Sequence, residues 1–147
     1  MLHDCIETMT LLQGLQLCAP RCLTSWWIRH VPRELNAQAD ALAKECLQSG
    51  LPCSWASPDR SSRVHVVSVH FDGGHKDGRG SSAWTMSAAG AQASTWRIVA
   101  HAAVYHPTGA TSVSAEMYAC WQAVQALNQF LLHGVLQFNA DGTVMQT

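Results

Sequence analysis

Apolar positions along this chain follow two periodicities, and the switches between them mark out its elements. Leu2, Ile6, Met9 and Leu12 recur at steps of three and four, predicting an N-terminal helix of about three to four turns. Pro20 interrupts the chain, and TSWWIRHV (24–31) reads as a strand. Pro32 opens a new turn, after which Leu35, Ala39, Leu42, Ala43 and Cys46 line one face of a second helix. The stretch 48–63, QSGLPCSWASPDRSSR, has two Pro, five Ser, one Gly and no period, which is a linker composition. Beyond it, VHVVSVHF (64–71), SSAWTMSAA (81–89) and STWRIVAHAAVY (94–105) alternate as strands do. The Gly-rich stretch DGGHKDGRG and a Gly-Ala break separate them, predicting an antiparallel meander. Val113, Met117, Cys120, Trp121, Val124, Leu127 and Leu131 then return to helical spacing until Gly134. VLQFNA (135–140) reads as a buried strand running into Asp141. The pattern is that of an α/β chain.

Length and composition narrow this further. A chain of 147 residues favours one domain, here 1–147, with 1–47 and 64–147 as its two parts. At 48% hydrophobic and 13% charged it can bury a core. Nine Lys and Arg against ten Asp and Glu give a net charge of −1. That excludes a strongly basic nucleic-acid binder but not a local basic patch. No apolar run approaches the roughly 18–20 residues that cross a bilayer, so no membrane partner is expected. The N-terminus carries Asp4 and Glu7 without a basic region, so it does not read as a secretion signal. Of six cysteines only Cys18 and Cys22 lie close together, and the eight histidines form no i,i+4 pair. No structural zinc is expected, and reduced thiols in an intracellular protein, of cytoplasm or nucleus, are the better reading. Trp84, Trp96 and Trp121 fall on core-periodic positions and read as core rather than as base-stacking platforms.

Four acids stand where a solvated face does not explain them. Asp72 ends the first strand of the meander, and Asp141 ends the strand after the long helix. If those strands are parallel neighbours, both carboxylates emerge at one carboxyl edge, where open α/β sheets place their sites. Glu116 lies in the first turn of the long helix, and Asp40 sits between Ala39 and Ala43 on the buried stripe of the other. Each also has a plainer reading: a turn aspartate for Asp72, an Asx-turn for Asp141, helix-dipole partners for Glu116 and Asp40. All four together favour a metal-binding cluster.

These stretches resemble a known family. FDGGHKDGRGSSAW (71–84), SVSAEMYACWQAVQAL (112–127), FNADGTV (138–144) and IRHVPRELNAQADALA (28–43) look like type-1 ribonuclease H, especially the form attached to retrotransposon reverse transcriptases and its plant relatives. The last stretch is the most specific, with HVPRE-x-N-x-x-AD-x-LA close to a signature, while the Gly after Asp141 replaces the usual Ser. The resemblance implies a mixed five-stranded sheet, order 3-2-1-4-5, flanked by helices. Its order here is circularly permuted, or that of a junction between tandem copies, because the segment that closes the family's domain comes first. Joining Thr147 to Met1 would restore a nearly complete domain, without most of the family's second helix and without its basic protrusion. A monomer is expected, a dimer exchanging halves being the alternative.

The resemblance further implies cleavage of the RNA strand of RNA/DNA hybrids by two-metal-ion hydrolysis with Mg²⁺ or Mn²⁺. Two such ions need oxygen ligands that hold them about 4 Å apart, and carboxylates suit them. Asp72 would bridge the ions, Glu116 and Asp141 would complete one side, and Asp40 would hold the second. His30 would assist proton transfer or product release, its alternative being a packing residue. Hybrids are recognised mainly through backbone shape and 2′-hydroxyls. The amides of Gly73 and Gly74, together with Ser112, Arg33 and Asn36, are candidates for those contacts, Asn36 having as its other reading a cap on the helix that carries Asp40. The alternative is a weakly active or inactive hybrid- or RNA-binding module derived from a mobile element.

Overall fold

The computed structural model describes residues 30–58, 64, 66–90 and 96–146. The expected N-terminal helix and most of the 24–31 strand lie outside them. A 3₁₀ turn, Arg33–Asn36, leads into α1, Ala37–Ser49; β1, Cys53–Ala56, β2, Val66–Lys76, β3, Arg79–Ala89, and β4, Arg97–His106, follow, then α2, Ser112–His133. Among the described residues no helix is long and apolar enough to cross a membrane.

The sheet is four-stranded, in the order β1-β4-β3-β2, and every pairing is antiparallel. Its tightest element is the β2–β3 hairpin. Asp77 and Gly78 both adopt positive φ, 53° and 76°, as expected for the two-residue Asp-Gly loop that matches strand twist. Because that dipeptide supplies the turn, β2 does not stop at Asp72. It runs on through Gly73 and Gly74, which pair with Ser82 and Ser81.

Two expectations change elsewhere in the sheet. The 48–63 stretch is not all linker, since its CSWA segment is β1, pairing Cys53 with Ala103 along β4. The five residues between Pro52 and Pro58 are too few to show a period, and flanking prolines suit an edge strand. The expected strand at 135–140 does not join the sheet. It makes a single bridge, Phe138 to Val144, and drops Leu136 and Val144 into the core beside α2. Val144 N donates to Gln122 Oε1 at 2.9 Å, and Phe138 stacks on Trp84. A short apolar run reports burial but not laddering, so packing satisfied it instead. The sheet described is therefore antiparallel with four strands, not mixed with five.

The helices lie on opposite faces. Successive β3 residues point opposite ways, and Ser81 Oγ donates to Ala43 O in α1 while Ser82 Oγ donates to Ala115 O in α2. On the α2 side Trp84, Met86, Ala100, Ala102, Ala123 and Ala126 form the main core. On the α1 side the core is smaller: Ala43, Cys46, Ala83 and Ala103. α2 ends on Gly134 as the sequence says, and α1 runs to Ser49, into the expected linker, and ends on Gly50; both glycines are in the left-handed conformation. Thr111 caps α2 and forms a capping box with Ser114. Trp84 is buried as expected, but Trp96, just ahead of β4, is exposed.

Candidate active site

Gly73 and Gly74 decide where the site lies. A Cβ on Gly73 would fall 2.5 Å from Glu116 N and 2.6 Å from Ala115 C, both backbone of α2. A Cβ on Gly74 would fall 2.8 Å from Ser81 Oγ and 3.6 Å from Ala43 O of α1. One glycine thus admits each helix, on opposite faces, and Asp72 stands directly before the point where both close on β2. These two residues therefore position the site rather than offer amides to a substrate. They sit inside the β2–β3 ladder, and Gly73 N–H donates to Asp72 Oδ1 at 2.9 Å.

Asp72 lies beside Asp40, which projects from the first turn of α1 between buried Ala39 and Ala43. Their carboxyls share a hydrogen bond. Burial is the main cause that pushes Asp72 up to about 6, followed by that hydrogen bond, with the charges of Asp40 and Glu116 adding to it. Gly73 N–H acts the other way. Asp40 is held below the usual carboxylate range, chiefly by its hydrogen bond to Lys44, then by Asp72 and by the Lys44 and Arg33 charges. Lys44 Nζ is 2.9 Å from Asp40 Oδ2. Of the two carboxyls, Asp72 takes up a proton first as pH falls, and Asp40 keeps its charge to lower pH.

Glu116, exposed near the start of α2, adds its charge to those that act on Asp72. Asp141 does not join them. It is exposed and accepts from Thr143 Oγ1 at 2.6 Å and Thr143 N at 3.0 Å, bonds that lower its pKa. Its neighbour Gly142 packs against the carbonyls of Ala103 and Cys53, on the β4–β1 side, two strands away from β2. The Asx-turn reading describes Asp141 as it stands.

Asn36 occupies the N-cap position of α1 but its side chain does not cap. Instead Nδ2 donates to Phe71 O at 3.0 Å, tying the start of α1 to β2 one residue before Asp72. Its Oδ1 is buried without a hydrogen-bond partner. His30, Arg33 and Ser112 are exposed, His30 at the first described residue, Arg33 beside α1 and Ser112 opening α2. Lys44 was not among the residues singled out from sequence, although its i,i+4 spacing from Asp40 was visible there.

Hard oxygen donors are what Mg²⁺ or Mn²⁺ takes, and Mg²⁺ is commonly held by one or two carboxylates with waters and phosphate oxygens. The Asp40–Asp72 pair fits that description for one ion. Among the described residues, no group of three or more His, Cys, Asp or Glu stands in ligating geometry. No protein-family model, curated protein or solved structure matches the chain.

Proposed function

We propose that this chain is a ribonuclease-H-like endonuclease that cleaves the RNA strand of RNA/DNA hybrids with a divalent cation. The observation that carries this reading is the pairing of Asp72 on β2 with Asp40 on α1, with the Glu116 charge on α2 acting on Asp72, an approach permitted by Gly73 and Gly74. Three acids from distant parts of the chain, one of them pushed up to about 6, are an unfavourable arrangement for stability alone and a favourable one for cation binding. The motifs that resemble type-1 ribonuclease H carry these same three residues.

Asp40 and Asp72 would hold the ion, with Glu116 on the opposite side of β2. A bound Mg²⁺ or Mn²⁺ supplies Lewis-acid chemistry and a more acidic water. The chain's own contribution is positional: the α1 start is fixed to Phe71 by Asn36, and α2 is fixed to Gly73 by direct backbone contact. His30, Arg33 and Ser112 are placed at exposed positions where a nucleic-acid backbone could reach them. The two-ion, five-stranded arrangement of the family would further need Asp141 and a strand beside β2. The reading includes a permuted, monomeric, intracellular domain, with a half-exchanged dimer as its alternative.

A second reading is favoured by one observation, the separation of Asp141 from the other acids. In it the chain binds hybrids without cutting them. Incubating a labelled RNA/DNA hybrid with the chain and Mg²⁺, with and without EDTA, separates the two. Metal-dependent cutting of the RNA strand alone supports the enzyme. Retention of an intact hybrid supports the binding module, and neither outcome with an RNA/RNA or DNA/DNA duplex is expected to match it.

A further inference from the structure

Asp40 is already engaged by a cation. Lys44 lies one turn further along α1, and its Nζ stands 2.9 Å from Asp40 Oδ2. The Lys44 side chain is 62% exposed while that of Asp40 is only 19% exposed, so the ammonium reaches in from water over a carboxylate that is largely covered. Asp72 meets the same carboxylate from β2. Asp40 therefore stands between a carboxyl on the strand side, which would share an incoming ion, and an ammonium on the solvent side, which competes with it.

We propose that Lys44 is the built-in counter-ion of Asp40, which a divalent cation must displace in order to bind the Asp40–Asp72 pair. The proposal rests on the metal-dependent reading above. An acid N-terminal to a lysine at i,i+4 is the favourable orientation on a helix, so the pair forms in the free protein. It is also weak, because the lysine is exposed and loses rotamer freedom when held. Displacement is thus easy, but an ammonium and a doubly charged ion repel each other across one carboxylate. Lys44 consequently lowers the affinity of the site for divalent ions. By the same contact it relieves the crowding of Asp40 against Asp72 in the free protein. It is a positioning residue that tunes ion binding, not a ligand.

The test is a titration of the full chain with MgCl₂ and with MnCl₂ at constant ionic strength, followed by calorimetry and by the metal-dependent rise in Tm. Lys44→Gln should bind either ion about three- to tenfold more tightly than wild type. Its Tm without metal should be no higher than wild type, and its rise on saturation should be larger. Lys44→Arg keeps the charge and should stay within twofold of wild type. Lys44→Met, which keeps the apolar stem, gives a second neutral variant should Lys44→Gln fold poorly. Equal affinities for wild type and both neutral variants would remove the counter-ion role and leave the metal site standing. A gain shared by Lys44→Arg would also overturn it, because charge would then not be the cause. If none of these proteins binds metal at millimolar concentration, the metal-centre reading fails and takes this proposal with it.

Discussion

Asp72 carries an electrostatic cost that the rest of β2 does not. Burial, the shared hydrogen bond with Asp40 and the Asp40 and Glu116 charges raise its carboxyl from 3.8 to about 6. A difference of that size corresponds to about 3 kcal/mol, and solvent screening of a partly exposed group reduces it to about 1–2 kcal/mol. The folded chain binds more protons at Asp72 than the unfolded chain between these two values, so stability falls as pH rises through that window. Asp72→Asn cannot ionise and keeps a donor for Asp40. It should raise stability at pH 7 by about 1–2 kcal/mol, and the gain should vanish at pH 3, below the unfolded value. Urea unfolding at the two pH values measures both, and a loss of stability at pH 7 would mean that the Asp72 carboxylate is structural. Asn36 makes the opposite contribution. Asn36→Ala strands Phe71 O and should cost about 1 kcal/mol at either pH, read in the same unfolding curves.

At the scale of elements, the contact of helix with strand is set by what is missing from Gly73 and Gly74. Gly73 faces backbone atoms of α2, which cannot rotate aside, whereas Gly74 faces mainly the Ser81 hydroxyl and the Leu47 methyl. Gly73→Ala should therefore reach or exceed the upper end of the roughly 1–3 kcal/mol usual for overpacking, and Gly74→Ala should stay within it. Thermal unfolding of both variants decides this, and equal losses would show that α2 can shift as freely as a side chain. Elements with local punctuation were legible in the sequence: α1 and α2 by their apolar stripes, α2 also by the glycine after it, the β3 and β4 strands by alternation. The misread elements were those whose outcome depends on partners. CSWA became β1 only because β4 offers it an edge. VLQFNA failed to become a strand because Trp84 and Gln122 receive it as a hairpin. Asp72-Gly73-Gly74 looked like a turn, and it took the stronger Asp77-Gly78 signal and two approaching helices to make it strand.

The whole molecule brings Asp40 and Asp72 together, sets Glu116 where its charge acts on Asp72, and leaves Asp141 aside. The nearness of Asp40 and Asp72 was legible because each sits on an element whose buried face the sequence defines, so burying those faces brings the two carboxyls together. Asp141 was not, because its position hangs on where a short apolar segment packs, and that is settled by the tertiary fit alone. It lies in a turn closed by Thr143, on the β4–β1 side of the sheet. This division makes a prediction about the free protein that needs no substrate. Any ligand that binds only the folded state raises its stability through mass action. Mg²⁺ binding on the Asp40–Asp72 pair should thus raise the Tm of wild type, and Asp72→Asn should abolish most of that rise. Asp141→Asn should keep it, since Asp141 stands outside the pair, while losing less than about 1 kcal/mol of stability because the group is exposed. That small loss should fade as pH falls from the unfolded value, 3.8, through the lower folded one, since Asp141 is stabilised in its ionised form by Thr143. Melting curves of the three proteins with and without MgCl₂ give the answer. An Asp141→Asn variant as unresponsive to Mg²⁺ as Asp72→Asn would place Asp141 among the ligands and would require the 139–143 turn to leave the β4–β1 side when the ion binds.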